Sequence, residues 1–144
     1  MISTKGRYAL RLMIDIAAYS NGEVVSLKDI SKRQEVSIKY LEQVVSSLVK
    51  SGMLISVRGN NGGYLLTKKP SEYTAGDIIR VAEGTLAPIA CLQTESTNCE
   101  RESICSTIDF WRGYYKVIND YVDGITLEDL ANKEKARIGN DYSI

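Results

Sequence analysis

The chain contains no histidine. That absence removes the usual general base of catalysis and the commonest imidazole metal ligand. No nucleophile–base pair stands out. The glycine-rich stretch Gly59-Asn60-Asn61-Gly62-Gly63 lacks the Lys-Ser/Thr that a phosphate-binding loop requires. An enzyme is therefore the reading the sequence supports least. No apolar run approaches the about 18 residues of a membrane span, so no membrane partner is expected. The N-terminus lacks the apolar stretch of a signal peptide, which makes the cytoplasm the expected location. There is no internal repeat and no low-complexity segment. Cysteine is scarce too: three residues, all within positions 91–105. An odd number in a cytosolic setting argues against a closed disulfide framework.

Net charge is also missing, because 18 Lys+Arg balance 18 Asp+Glu. The distribution is uneven, however. Residues 1–70 hold 11 basic and 5 acidic side chains, a net of +6, and residues 71–144 hold 7 and 13, a net of −6. A basic half is an electrostatic footprint suited to phosphate, although scattered solvated charges would look the same. The 144 residues, 44% of them hydrophobic, suffice for one domain with a buried core.

Periodicity and caps place the elements. A first helix is expected from Ser3 or Thr4, with Tyr8, Leu12, Met13, Ile16 and Ala17 on one apolar face, ending at Asn21-Gly22. Ser26-Leu27-Lys28-Asp29 fits a capping box opening a short helix to about Gln34. After the turn at Val36-Ser37, Ser37 can cap a third helix in which Leu41, Val44, Val45 and Leu48 recur at i, i+3, i+4 and i+7. Two short helices around a tight turn make a helix-turn-helix. Met53–Arg58, the glycine-rich loop and Tyr64-Leu65-Leu66 then read as a β-hairpin, or wing. Thr74-Ala75-Gly76-Asp77 is a second capping box, with Ile78, Ile79, Val81 and Ala82 inward.

Residues 84–105 are loop-like and carry the cysteines. A longer helix is expected from about Ser106 to Val122. It has two apolar stripes: Ile108, Trp111, Tyr115, Ile118 and Val122 on one, and Phe110, Tyr114, Val117 and Tyr121 on the other. One stripe can face the chain's own body and the other a second subunit, so a homodimer is favoured over a monomer with a buried helix. Thr126-Leu127-Glu128-Asp129 is a third capping box opening a short last helix, with a polar, frayed end over 133–144. The expected fold class is mainly α with a small β-hairpin: a winged helix-turn-helix over 1–85, then over 86–144 the cysteine loop (91–105), a dimerisation helix (about 106–122) and the short C-terminal helix.

A recognition helix enters the major groove with its N-terminal residues at the base edges. The inward set leaves Lys39, Glu42, Gln43 and Ser46 outward. Lys39 can donate to guanine or phosphate, Gln43 can pair with adenine, and Glu42 can accept from cytosine while penalising wrong sequences. Arg58 at the foot of the wing can enter a narrow minor groove, although a solvated Arg in a β-turn is the commoner meaning. Thr4, Lys5 and Arg7 are candidate phosphate contacts. Lys28, Lys32 and Arg33 fit a solvated helix face equally well. A dimer implies a pseudo-palindromic operator in double-stranded DNA.

Cys91, Cys99 and Cys105 read C-x7-C-x5-C. Thiolates hold iron–sulfur clusters or zinc, and free thiols can sense redox state. Burial as small apolar side chains fits poorly beside Glu95, Asn98, Glu100 and Glu102.

Several of these pieces, taken in order, resemble the IscR-type regulators. They are Ser3-Thr4-Lys5-Gly6-Arg7-Tyr8-Ala9, Tyr40-Leu41-Glu42-Gln43, Val57-Arg58-Gly59 with Gly62-Gly63-Tyr64, Ala75-Gly76-Asp77-Ile78-Ile79 and Thr126-Leu127-Glu128-Asp129-Leu130. The resemblance spans nearly the whole chain. It implies a dimeric, sequence-specific DNA-binding transcription regulator, expected to repress, that dimerises through the long helix. The DNA-binding set it implies is Thr4, Lys5, Arg7, Ser37, Lys39, Tyr40, Glu42, Gln43, Arg58, Gly59, Gly62 and Gly63. The family has cluster-bearing members, among them sensors of cluster supply (IscR) and of nitric oxide (NsrR). It also has cluster-free members that control cysteine metabolism (CymR). Three cysteines before the long helix match the cluster-bearing pattern, so the resemblance implies an iron–sulfur cluster on Cys91, Cys99 and Cys105, with 2Fe–2S favoured over 4Fe–4S and zinc as the alternative. The departure is the fourth ligand: Ile108 stands where IscR has a His. Asp109 is the favoured local carboxylate, ahead of Glu100 and Glu102. Some relatives recruit an acidic residue from the partner's first helix, but the matching stretch offers only Tyr8 and, further on, Asp15. A water or a small thiol is the remaining way to complete the set.

Overall fold

Residues 1–94 and 99–142 are described in a computed structural model of the protein. Helix α1 (Thr4–Tyr19) starts where Ser3, in extended backbone, turns its hydroxyl to the Gly6 N–H. Helix α2 (Leu27–Gln34) is capped by Ser26, which accepts from Asp29 N–H, and it ends at Glu35 in the left-handed region at φ +55°. Helix α3 (Ile38–Lys50) is capped by Ser37. Each cap satisfies one of the N–H groups that a helix start leaves without an internal partner.

The core forms where the apolar stripes of these helices meet. Leu12, Met13 and Ile16 of α1, Ile30 of α2, and Leu41, Val44, Val45 and Leu48 of α3 are all buried. Each such side chain contributes roughly 1.5–3 kcal/mol on leaving water. The wing follows: β1 (Leu54–Val57) pairs antiparallel with β2 (Gly63–Leu66), with Leu54 opposite Leu66 and Val57 opposite Gly63. Residues 58–62 form its tip. A bridge between Val25 and Tyr64, with N–H···O distances of 3.1 and 2.9 Å, ties the α1–α2 linker to the wing. That approach is so close that a Cβ at Gly63 would overlap the Val25 carbonyl.

Tyr73, 2% exposed, pins the base of the wing. Its hydroxyl donates to the Met53 carbonyl at 2.8 Å and accepts from the N–H groups of Thr67 at 2.9 Å and Lys68 at 3.0 Å. Helix α4 (Ala75–Glu83) opens on the reciprocal Thr74–Asp77 box. Ile78 is fully buried, Val81 and Ala82 pack against the core, and Ile79 turns towards a groove beneath the long helix.

The long helix, α5 (Ile108–Asp123), packs on α4. Its first stripe is buried or half-buried, whereas Phe110, Tyr114, Val117 and Tyr121 are 65, 48, 69 and 68% exposed. The two stripes therefore have different environments, as the spacing requires.

The end of the chain differs from expectation. The last helix, α6, is not short and does not fray from residue 133; it runs Leu127–Tyr142. Leu127, Leu130, Ala131, Glu134 and Ile138 lie at i, i+3, i+4, i+7 and i+11, and all are at least half-buried. The helix returns to pack along α1, and packing outweighs the polar composition of its outer face.

Tyr73→Phe removes one hydroxyl that serves three backbone groups. We expect a loss of about 1–3 kcal/mol in urea unfolding, and an unchanged midpoint would show that water replaces the hydroxyl without cost.

Candidate nucleic-acid interface and cysteine loop

The N-terminal turn of α3 presents the expected residues outward. Lys39, Glu42 and Gln43 are exposed, while Leu41, Val44 and Val45 turn in. Ser37 is exposed but already engaged, since its Oγ accepts from Tyr40 N–H at 3.2 Å. Tyr40 is half-buried: its ring meets Tyr8 edge-on at 5.4 Å, and the Arg11 guanidinium lies over Tyr8 at 4.8 Å. Tyr40 thus braces the recognition helix against α1.

Arg58 is exposed at the end of β1, with Gly59 beside it at φ +122° and Gly62 and Gly63 leading into β2. Thr4 and Arg7 are exposed on the first turns of α1, and Lys5 is partly so. Among the described residues, the ion pairs engage Arg33, Arg80, Arg112, Lys116 and Arg137, and none engages Lys5, Arg7, Lys39 or Arg58.

Arg33, expected on a solvated helix face, is exposed but also spends its guanidinium inside the molecule. It grips Asp15, which is fully buried, through two hydrogen bonds of 3.0 and 2.7 Å, and Gln34 adds a third at 2.9 Å. The guanidinium also stacks on Tyr19 at 4.1 Å. The Asp15 hydrogen bond raises the Arg33 pKa above its ordinary value. Arg11 closes the group by donating to the Gln34 side chain and carbonyl. Sequence reasoning missed this lock. Its one signal was an acid at position 15 between Met13 and Ile16, in an otherwise apolar turn.

The long helix is joined to the winged body by Arg80 of α4. Its guanidinium donates to both Asp123 oxygens, at 2.7 and 2.9 Å, and to Asn119 at 2.8 Å. The Arg80 contact holds the Asp123 carboxyl below the usual carboxylate range.

The cysteine loop carries two short 3-10 turns, Ala90–Leu92 and Glu102–Ile104. Glu95 and Asn98, expected as polar neighbours of the cysteines, lie outside the described residues. Cys91 and Cys105 are half-buried, Cys99 is exposed, and all three are free thiols. Among the described residues no group of three Cys, Asp or Glu is gathered as a metal centre. The donor chemistry nevertheless fits an iron–sulfur cluster, because three thiolate-forming side chains share one loop. Contacts with the Thr107 backbone N–H and hydroxyl lower the Cys105 thiol pKa from its ordinary value. Asp109 does not join them. Its side chain is 95% exposed and leans towards Arg112 at 3.4 Å, and Arg112 also pairs with Glu102.

A profile of the family described as Rrf2, iron-dependent transcriptional regulator, matches residues 2–133. The HTH-type transcriptional regulator IscR of Pectobacterium atrosepticum is 40% identical over 134 residues, covering 93% of this chain and 80% of that protein. Among solved structures, IscR of T. potens superposes with a TM-score of 0.76 at 36% identity, covering 95% of this chain and 90% of that one. CymR (YrzC), the global cysteine regulator of B. subtilis, superposes with 0.75 at 41% identity, covering 92% and 97%.

Arg33→Ala would strand the Asp15 carboxylate in the interior with only Gln34 as partner. We expect about 3 kcal/mol of destabilisation, read from the denaturation midpoint. A loss no larger than that of a surface Arg→Ala change would refute the lock.

Proposed function

The chain belongs to the Rrf2 family of iron-dependent transcriptional regulators, and from that premise we propose how this DNA-binding transcription regulator reads its operator and what it senses. The recognition helix α3 enters the major groove with Ser37, Lys39, Glu42 and Gln43 at the base edges, Arg58 and the wing glycines meet the adjacent minor groove, and Thr4, Lys5 and Arg7 contact phosphate. One observation carries this reading: Arg7, Lys39 and Arg58, all exposed and outside the ion pairs among the described residues, lie on the start of α1, the start of α3 and the wing, the elements that a winged helix-turn-helix turns to DNA. Glu42, exposed beside Lys39, weakens phosphate attraction and sharpens selectivity.

The regulator acts as a homodimer on a pseudo-palindromic operator, as a repressor in the cytoplasm. Phe110, Tyr114, Val117 and Tyr121 line one side of α5 over about three turns, and a second copy of the same stripe covers them without leaving an apolar band in water. Among the described residues no helix is long and apolar enough to cross a membrane. None of the chemistry described requires catalysis, so the chain is read as a non-enzyme.

Cys91, Cys99 and Cys105 would hold an iron–sulfur cluster, 2Fe–2S ahead of 4Fe–4S, and when bound the cluster supplies a state that depends on redox conditions and cluster supply. The residues of the chain do the rest. The loop fixes the start of α5, and Arg80 fixes its far end to α4, so the angle between α5 and the winged body rests on few contacts. In a dimer that angle sets the separation of the two recognition helices. A second reading is a cluster-free regulator with zinc or a thiol switch in this loop, and the described thiols, which are free and not gathered, favour the thiol switch within it.

Two measurements divide these readings. Protein purified without oxygen should carry iron and acid-labile sulfide in near-equal amounts, lost in Cys99→Ala; zinc or no metal would move the sensing to the second reading. Arg58→Ala should weaken operator binding and reduce the salt slope by about one, and an unchanged slope would remove the wing from the interface.

A further inference from the structure

Glu83 is the last residue of α4, far in sequence from α1, yet its carboxylate sits on the start of that helix. Oε1 accepts from the Ser3 N–H at 2.8 Å, the Ser3 hydroxyl at 2.6 Å and the Gly6 N–H at 3.1 Å. Ser3 alone is a weak cap, since its own Oγ reaches Gly6 N–H only at 3.4 Å. The carboxylate supplies the negative charge and the acceptors that a helix start favours. Gly6 makes room for it: a Cβ there would overlap the Glu83 carboxyl group. This explains a buried glycine in the first turn of a helix, where Ala has the higher helix propensity.

The turn held in this way is the one carrying Thr4, Lys5 and Arg7. Met1 and Ile2, just before it, line the same groove as Leu86, Pro88 and Tyr114. Gly84, at φ +85°, turns the chain from Glu83 straight into the cysteine loop.

We propose that Glu83 is a positioning residue for DNA binding: by clamping the first turn of α1 to the end of α4, it sets the place of the phosphate-contacting residues Thr4, Lys5 and Arg7. This rests on the reading that these three residues meet phosphate. Three hydrogen bonds to one oxygen leave that turn little freedom, so it meets the backbone already ordered. Without the carboxylate the turn frays and pays that ordering on binding. Glu83 itself touches no DNA.

The test uses the full chain and a duplex selected by the wild-type protein from a random pool, with affinity measured across a range of salt. Glu83→Ala should lower affinity about three- to tenfold and reduce the salt slope by about one to two, the signature of one or two lost phosphate contacts. Glu83→Gln keeps an acceptor at Oε1 and should recover most of the affinity. Gly6→Ala favours the helix but displaces the carboxylate, so it should reproduce the Glu83→Ala loss. The double variant should be no weaker than either single one.

An unchanged salt slope in Glu83→Ala, with only a lower melting temperature, would overturn the proposal and leave Glu83 a structural cap. Tighter binding by Glu83→Ala and Glu83→Gln would also overturn it, because the carboxylate would then be repelling phosphate. A Lys5→Ala, Arg7→Ala variant separates the two levels. If its slope is unchanged, the phosphate reading fails and takes the proposal with it. If its slope falls while that of Glu83→Ala does not, only the role of Glu83 fails.

Discussion

The buried carboxylate of Asp15 is the constraint around which the packing of α1, α2 and α3 is built. A carboxylate without solvent must have its lone pairs met by protein donors, and an unmet one is costly. Here Arg33 and Gln34, both at the end of α2, supply three hydrogen bonds. Apolar packing between α1 and α2 would tolerate sliding, whereas a bidentate pair fixes both distance and direction. The turn into α3 starts one residue after Gln34, so the register of the recognition helix is set from α1. Arg11 and the Tyr8–Tyr40 contact secure α3 from the same helix. The buried pair serves geometry more than net stability, since its desolvation offsets much of its attraction.

Helix α4 plays the complementary part on the other side of α1. Ile78 buries into the core, Arg80 holds Asp123 and Asn119 of α5, and Glu83 holds the start of α1. The residues proposed to touch DNA and the helix proposed to pair two subunits are thus attached to one short element. Differential contacts at a shared element are what coupling between two sites requires.

Much of the architecture was legible because it rests on local rules. Ser3, Ser26, Ser37, Thr74 and Thr126 each cap a helix at the expected place, and the wing falls at its glycines. The outward turn of Lys39, Glu42 and Gln43 followed from the inward period of Leu41, Val44, Val45 and Leu48. The last helix was misjudged because its polar outer face masked an apolar stripe that only α1 could cover. The Asp15 pairing of Arg33 was not legible, because a partner eighteen residues away in sequence leaves no local mark.

The element types, the cap positions, the two-sided character of α5 and the outward residues at the start of α3 were readable along the chain, since caps and periodicity act within a few residues. Packing of distant elements decides which charges are spent inside the molecule and which stay exposed. It paired Asp15 with Arg33, Arg80 with Asp123, and Glu83 with the start of α1. The physical reason is that hydrogen bonds and ion pairs between distant elements depend on distances of a few ångströms, which periodicity along the chain does not encode.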